Sequence, residues 1–349
     1  MKKLIALLLA LVMVLGLVAC ASTETAQEPA ASEPVETPAE APAESAETPA
    51  EEPAEAADAF VVGICQLVEH PALDAATQGF KDALVEALGD RVTFDEQNAA
   101  GDSNTCSTIV NSFVSKNVDL ILANATAALQ AAASATMDIP ILGTSITEYG
   151  VALGIDGFDG TVGGNISGTS DLAPLDEQAN MLVELFPDAK NVALIYCSAE
   201  ANSQYQVDVV KAELEAKGLT AELYSFSDSN DLAAVANAAC AFADVIYAPT
   251  DNTVASSADI LDGVARPAGI PVIAGEEGIC AGCGVATLSI SYYDLGYQTG
   301  VMAAQILTGE ADISTMPVAY APQFTKKYNP VICDELGVTI PEDYVAVEG

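Results

Sequence analysis

Short, continuous apolar runs alternate along this chain with longer stretches in which apolar positions recur every three or four residues. Residues 60–65, Phe-Val-Val-Gly-Ile-Cys, form the first run, and 71–88 carry the first helical period. The alternation continues with a run at 92–94, a helical stretch at 105–116, a run at 118–123, a helical stretch at 127–135 and a run at 140–143. After a glycine-rich segment, 154–168, the order restarts. It is helical near 176–185, apolar at 191–196, helical at 202–217, apolar at 220–224, helical at 232–242, apolar at 245–247, helical near 254–265 and apolar at 271–274. Strands that are apolar at every position are covered on both faces, which is the condition of a parallel sheet between helices. The expectation is an α/β protein of two Rossmann-like lobes with parallel sheets, joined by a hinge near Asp171, with a cleft between them. In open sheets of this kind ligands lie beyond the carboxyl ends of the strands. The loops at 66–71, 124–126, 144–148, 198–203, 249–253 and 275–278 are therefore where chemistry is sought.

The first 59 residues follow neither period. Met1-Lys2-Lys3 precedes an apolar run from Leu4 that ends in Leu17-Val18-Ala19-Cys20. Two lysines, an apolar stretch short for a membrane span and small residues at the end read as a signal peptide over 1–19. Cys20 sits where lipoprotein processing needs a thiol, so it is expected to carry the lipid that holds the protein on the outer face of a bacterial cell membrane. Residues 20–59 are rich in Ala, Glu, Pro, Ser and Thr, with no Lys or Arg. Such a segment has no apolar surface to bury and is read as a disordered acidic tether, on the order of 40 Å or more in reach. The remaining chain is long enough for two cores. Lobe 1 is expected over 60–171 plus about 291–315, and lobe 2 over 172–290 plus about 316–349.

Charge narrows the partners. Only 11 Lys and Arg stand against 50 Asp and Glu, for a formal charge of −39. A surface of that sign repels nucleic acid and anionic lipid. The eight cysteines lose Cys20 to the anchor and leave an odd number, which is no complete disulfide framework. Cys65 and Cys197 fall in strands and Cys240 and Cys333 in helices, as small hydrophobes. Cys280-Ala281-Gly282-Cys283 is the one pair with possible redox chemistry, although it follows a Glu-Glu-Gly turn and does not open a helix. With one histidine in the chain and no nucleophile elbow, phosphate loop or dinucleotide fingerprint, no catalytic residue, metal or cofactor is expected.

The post-strand loops carry a resemblance. Residues 66–74 beginning Gln66-Leu67-Val68-Glu69-His70-Pro71, then Asn165-Ile166-Ser167-Gly168, Glu200-Ala201-Asn202-Ser203, Pro249-Thr250-Asp251-Asn252-Thr253 and Tyr292-Tyr293-Asp294-Leu295-Gly296 together resemble the tryptophan/tyrosine-type substrate-binding lipoproteins of ABC importers. The likeness runs from about 62 to 341. It implies a type I periplasmic-binding-protein fold, with one late strand leading back to lobe 1 and a later segment crossing again. It also implies a non-enzymatic, monomeric receptor that closes its lobes on an amino acid and delivers it to a permease and ATPase. The chain departs from the family pattern at Thr147-Glu148-Tyr149, where Thr-Asp-Pro is common, and at 280–284.

A zwitterionic amino acid needs donors for its carboxylate and acidic acceptors for its ammonium. Thr126 and Ala127 open a helix directly after a strand, where free backbone N–H groups favour an anion, and Ser203 offers a second helix start. Ordinary helix capping is the alternative for Thr126 and Ser203. Glu69, Glu148, Asp251 and Glu276 are the candidate ammonium acceptors, with Asp251, between Thr250 and Asn252, preferred. Gln66, His70 and Thr147 complete the polar set. Tyr149 and Tyr292 are the aromatic candidates for enclosing a flat side chain. Two other classes stay open: a surface sensor of the same fold for a solute such as a nucleoside, and a thiol oxidoreductase built on Cys280 and Cys283.

Overall fold

Residues 59–347 are described by a computed structural model, and within them the alternation of apolar runs and helical periods becomes two sheets flanked by helices. The signal peptide, Cys20 and the tether up to residue 58 lie outside the described residues. In chain order the first half holds β1 (Phe60–Gln66), α1 (Pro71–Leu88), β2 (Val92–Asn98), α2 (Ser103–Lys116), β3 (Leu120–Asn124), α3 (Thr126–Ala135), β4 (Ile141–Ile146), α4 (Tyr149–Leu153) and β5 (Ile166–Ser170). The second holds α5 (Leu175–Leu185), β6 (Asn191–Cys197), α6 (Ala201–Ala216), β7 (Thr220–Phe226), α7 (Ser229–Phe242), β8 (Val245–Ala248), α8 (Asn252–Ala255), α9 (Ala258–Ala268), β9 (Val272–Ala274), α10 (Glu277–Cys283) and β10 (Ala286–Ser289). There follow α11 (Tyr292–Leu307), β11 (Ala319–Tyr320), β12 (Thr325–Tyr328), α12 (Pro330–Leu336) and β13 (Val345–Ala346).

The first sheet runs β11-β5-β4-β3-β1-β2, every pair parallel. The second runs β13-β12-β10-β9-β8-β6-β7, with β12 antiparallel to β10. Alternate residues of each strand feed opposite cores. In β3, Leu120 and Leu122 join Phe80 and Leu84 of α1, while Ile121 and Ala123 join Phe113 and Leu129. In β6, Val192, Leu194 and Tyr196 face one core and Ala193, Ile195 and Cys197 the other. Each fully buried Leu or Ile contributes about 1.5–3 kcal/mol, so the apolar runs are the price of a sheet covered on both sides. In both sheets the strand order reverses beside the first strand of the half, at β1/β3 and at β6/β8. Helices leave these strands in opposite directions there and open a crevice at the carboxyl ends.

The chain crosses between sheets after β5, between β10 and α11, and between β11 and β12. The last crossing falls after Tyr320. It was expected near 316, but β11 still pairs with β5. Helix α11 returns to lobe 1 by lying against α1, and Gly79 and Gly296 make this close approach possible. A Cβ on Gly79 would strike the Tyr293 carbonyl, and one on Gly296 the Ala76 carbonyl.

Several local expectations change. The helical stretch near 254–265 is two helices, α8 and α9, because Ser257 leaves the helical path between them. The glycine-rich segment ends in a true strand, β5. Cys280 and Cys283 lie on α10, one helical turn apart, where a turn and loop were expected.

Candidate functional site

The two crevices face each other, and the side chains between them leave a cavity of about 10 Å³. Lobe 1 and its crossings contribute His70, Ser145, Thr147, Asp171 and Tyr292. Lobe 2 contributes Asn202, Thr250, Asp251, Asn252 and Glu276, and Leu73 and Ala255 add apolar surface. A cavity of that size holds about one water, so the lobes have to part to admit a larger ligand. The lining contains no Lys or Arg.

Each polar group is placed by a local feature. His70 stands before Pro71 at the start of α1 in extended backbone and makes no capping bond, which frees its imidazole to cross the cleft. Its Nε2 lies 3.2 Å from Asn252 Oδ1 of the other lobe. Ser145 has φ +56, and the register between β4 and β5 shifts over 143–146. A non-glycine residue in that region costs about 1–3 kcal/mol. The irregularity re-aims a side chain in the manner of a β-bulge, and Ser145 is left beside the cavity. Asp171 follows β5, and its backbone N–H donates to the Ile146 carbonyl at 3.1 Å. Its Oδ2 accepts from the Tyr292 hydroxyl at 3.0 Å. Glu276 caps α10, accepting from the backbone N–H of Gly278 at 2.6 Å and of Ile279 at 2.5 Å.

Three buried atoms of this lining have no hydrogen-bond partner: His70 Nδ1, Ser145 Oγ and Asp171 Oδ1. A buried polar atom left unpaired costs about 1–3 kcal/mol, and three such atoms converge on one space. Burial raises the Asp171 carboxyl to about 6, with the Tyr292 hydroxyl pulling it down and Glu276 pushing it up. Burial also raises Glu276, against the pull of the N–H groups of Gly278 and Ile279. Two buried carboxyls thus share a cavity that offers them hydroxyls and one imidazole.

Of the residues singled out from sequence, His70, Thr147, Thr250, Asp251, Asn252, Glu276 and Tyr292 come together here. Asp251 differs from its expected part as the principal acceptor. Its Oδ1 accepts from Val254 N at 2.8 Å and its Oδ2 from Cys197 N at 2.7 Å, so it caps α8 and ties it to the end of β6. Burial first, then Glu200, raises its carboxyl. The other candidates are occupied elsewhere. Gln66 is held inside lobe 1 by Asp74 and Thr77 at 2.6 Å each. Glu69 is exposed on the flank of lobe 1. Thr126 is buried at the start of α3, and Ala127 borders a separate opening between the lobes. Glu148 caps α4 through Val151 N, and Ser203 is buried against Asn202. Tyr149 donates to the carbonyls of Gly143 and Thr169 at 3.1 Å each, which makes it a brace of the first sheet and no lid on the cavity.

Ser145, Asp171 and Asn202 were missed. Asp171 had a legible signal: it directly follows β5, and reading 166–170 as a strand would have brought it under the carboxyl-end rule. Ser145 lies in the 144–148 loop that this rule marks, but its aim comes from the bulge and could not be read from the sequence. Cys280 and Cys283 are buried free thiols whose ionisation burial opposes. The thiolate is the reactive form, so this pair fills space in α10.

Comparison with known proteins agrees with this architecture. The profile of the family described as ABC transporter substrate binding protein matches residues 61–348. The tyrosine-binding protein of Clostridioides difficile (strain R20291) is 38% identical over 260 residues, 74% of this chain and 75% of that protein. Among solved structures, an ABC domain in complex with L-Trp from Streptococcus pneumonia is 33% identical with a TM-score of 0.78, covering 82% of this chain and 97% of its own. A ligand-free, open substrate binding protein with adhesive properties from Clostridium difficile is 38% identical with a TM-score of 0.64, covering 83% of this chain and 99% of its own. The open structure has the higher identity and the lower score.

Proposed function

Since the chain belongs to the family of ABC transporter substrate-binding proteins, which take up a small molecule outside the cytoplasm and work with permease and ATPase components, we propose that its ligand is an aromatic amino acid, tyrosine or tryptophan. The observation that carries this reading is the buried, partnerless Asp171 Oδ1 sharing a cavity with Glu276. An ammonium group satisfies both carboxyls at once, and Ser145 Oγ is left to donate to a carboxylate. Those residues span both lobes, so only the closed form satisfies the ligand, and closure supplies specificity. The two relatives that bind tyrosine and L-Trp support the side-chain class. The decisive experiment is calorimetry and thermal shift of the folded body against all amino acids, nucleosides and common sugars. L-tyrosine or L-tryptophan at 100 times its Kd adds about 2.7 kcal/mol to stability, a rise of several degrees in Tm. Tight binding of a nucleoside or sugar with no response to amino acids overturns the assignment.

The same reading places the protein on the membrane through a lipid on Cys20, which follows an apolar leader with a small-residue ending. Cys20→Ser is expected to release the protein from the membrane fraction. Full retention after normal leader removal refutes the anchor.

A further inference from the structure

Glu200 occupies the position before α6 but makes no capping bond to that helix. Its carboxylate is given to the start of α8 instead. Oε2 accepts from Asn252 N at 3.0 Å and from Asn252 Nδ2 at 2.6 Å. Oε1 accepts from Thr253 N at 2.9 Å and Thr253 Oγ1 at 2.8 Å. An ionised carboxylate only accepts, so the amide of Asn252 has to turn its NH₂ toward Glu200 and its Oδ1 the other way. Oδ1 then faces His70 Nε2 across the cleft at 3.2 Å. An amide oxygen also only accepts, so Nε2 has to carry the proton. The remaining ring nitrogen, Nδ1, is the buried atom without a partner at the cavity.

We propose that Glu200, which does not line the cavity, is a positioning residue for ligand capture: through Asn252 it sets the Nε2–H tautomer of His70 and so makes Nδ1 a hydrogen-bond acceptor aimed at the ligand when the lobes close. The proposal rests on the amino-acid reading above, in which Nδ1 joins Asp171 and Glu276 around the ammonium. The relay spans the two lobes, Glu200 and Asn252 on one and His70 on the other, so the acceptor is defined only in the closed form. Opening separates the imidazole from Asn252 and frees the ring to exchange tautomers. Specificity for a donor at this position follows, because a ligand with no N–H or O–H there leaves Nδ1 unpaired.

The chain has one histidine, so ¹⁵N-histidine labelling yields a spectrum of His70 alone, in which the two ring nitrogens report the tautomer directly. At pH 7.5 with saturating L-tyrosine the ring is expected to be a single Nε2–H form with unprotonated Nδ1. Glu200→Gln, which presents an amide and lets Asn252 turn over, is expected to move the ring toward Nδ1–H. Asn252→Ala leaves the Asn252 N and both Thr253 donors to Glu200, so the helix starts are kept. It is expected to weaken L-tyrosine binding about tenfold, the worth of one buried hydrogen bond, with a tautomer-averaged ring. A bound ring that is Nδ1–H, doubly protonated or averaged overturns the relay, as does a ring unchanged in both variants. If L-tyrosine gives no binding heat, the ligand assignment fails separately, and the ring is read with whichever amino acid, nucleoside or sugar raises Tm most: a single Nε2–H form in that complex supports the relay, and an Nδ1–H or averaged ring overturns it.

Discussion

Asp171→Asn is expected to weaken L-tyrosine binding by at least about 30-fold, the lower end of the cost of truncating one partner of a buried charge pair. The substitution keeps the shape of the side chain, and its amide oxygen still accepts from the Tyr292 hydroxyl. What it removes is the charge, and what it adds is an NH₂ group facing a ligand ammonium. The unliganded protein is not harmed by the change. Burial already raises the Asp171 carboxyl to about 6, so a neutral amide relieves an unfavourable charge and Tm stays level or rises. Loss of affinity with an unchanged or higher Tm separates a ligand contact from a folding defect. Calorimetry that finds the variant within threefold of the parent removes Asp171 from the site.

The second large effect is with pH, and stability and binding are expected to move in opposite directions. The Asp171 carboxyl has an ordinary value of 3.8 and lies at about 6 in the folded chain. A folded value above the unfolded one means that the native state holds the proton longer. Its contribution to the stability of the unliganded protein is therefore complete below 3.8 and is lost as pH rises through about 6. Glu276 and Asp251 are raised in the same direction by burial, so they add to the trend. A bound ammonium reverses the preference, because it favours the ionised carboxyls and expels their proton. Affinity for L-tyrosine should rise with pH over the same window, being about tenfold weaker at pH 5 than at pH 7 for one released proton. Calorimetry in buffers of different ionisation enthalpy counts that proton, and Asp171→Asn should flatten the profile. Affinity that does not vary between pH 5 and pH 7 in the parent contradicts this account.

The strand-helix alternation and the cleft loops were legible because both rest on short-range rules. Val62 and Ile64 alternate with Gly63 and Cys65 between two cores, and a fully apolar run records that double burial wherever it occurs. The loops around His70, Thr250 and Glu276 were found because residues that follow a strand in such a sheet are placed by the strand. The same rule misjudged Gln66 and Glu148. It locates the backbone, whereas a side chain is free to turn back and satisfy its own lobe, as Gln66 does with Asp74 and Thr77. Two helices beyond the cleft, α4 and α10, were missed because each is short and neither completes a clear helical period.

The sequence alone determined the α/β class, the division into two similar halves and the loops that border the cleft, since all three depend on local apolar period and on residue types at strand ends. The tertiary structure decided which carboxyl waits for a charge. From the sequence Asp251 is an acidic residue close behind a strand, and Asp171 is only a residue near the hinge. In the fold Asp251 spends its oxygens on Val254 N and Cys197 N, while Asp171 keeps one oxygen buried and unpaired. The same holds for Ser145, aimed by a register shift between β4 and β5, and for His70, whose tautomer follows from Asn252 and Glu200 some 130 to 180 residues away in the chain. Such assignments depend on which hydrogen bonds neighbouring segments have already claimed, and those claims exist only once distant parts of the chain are packed together.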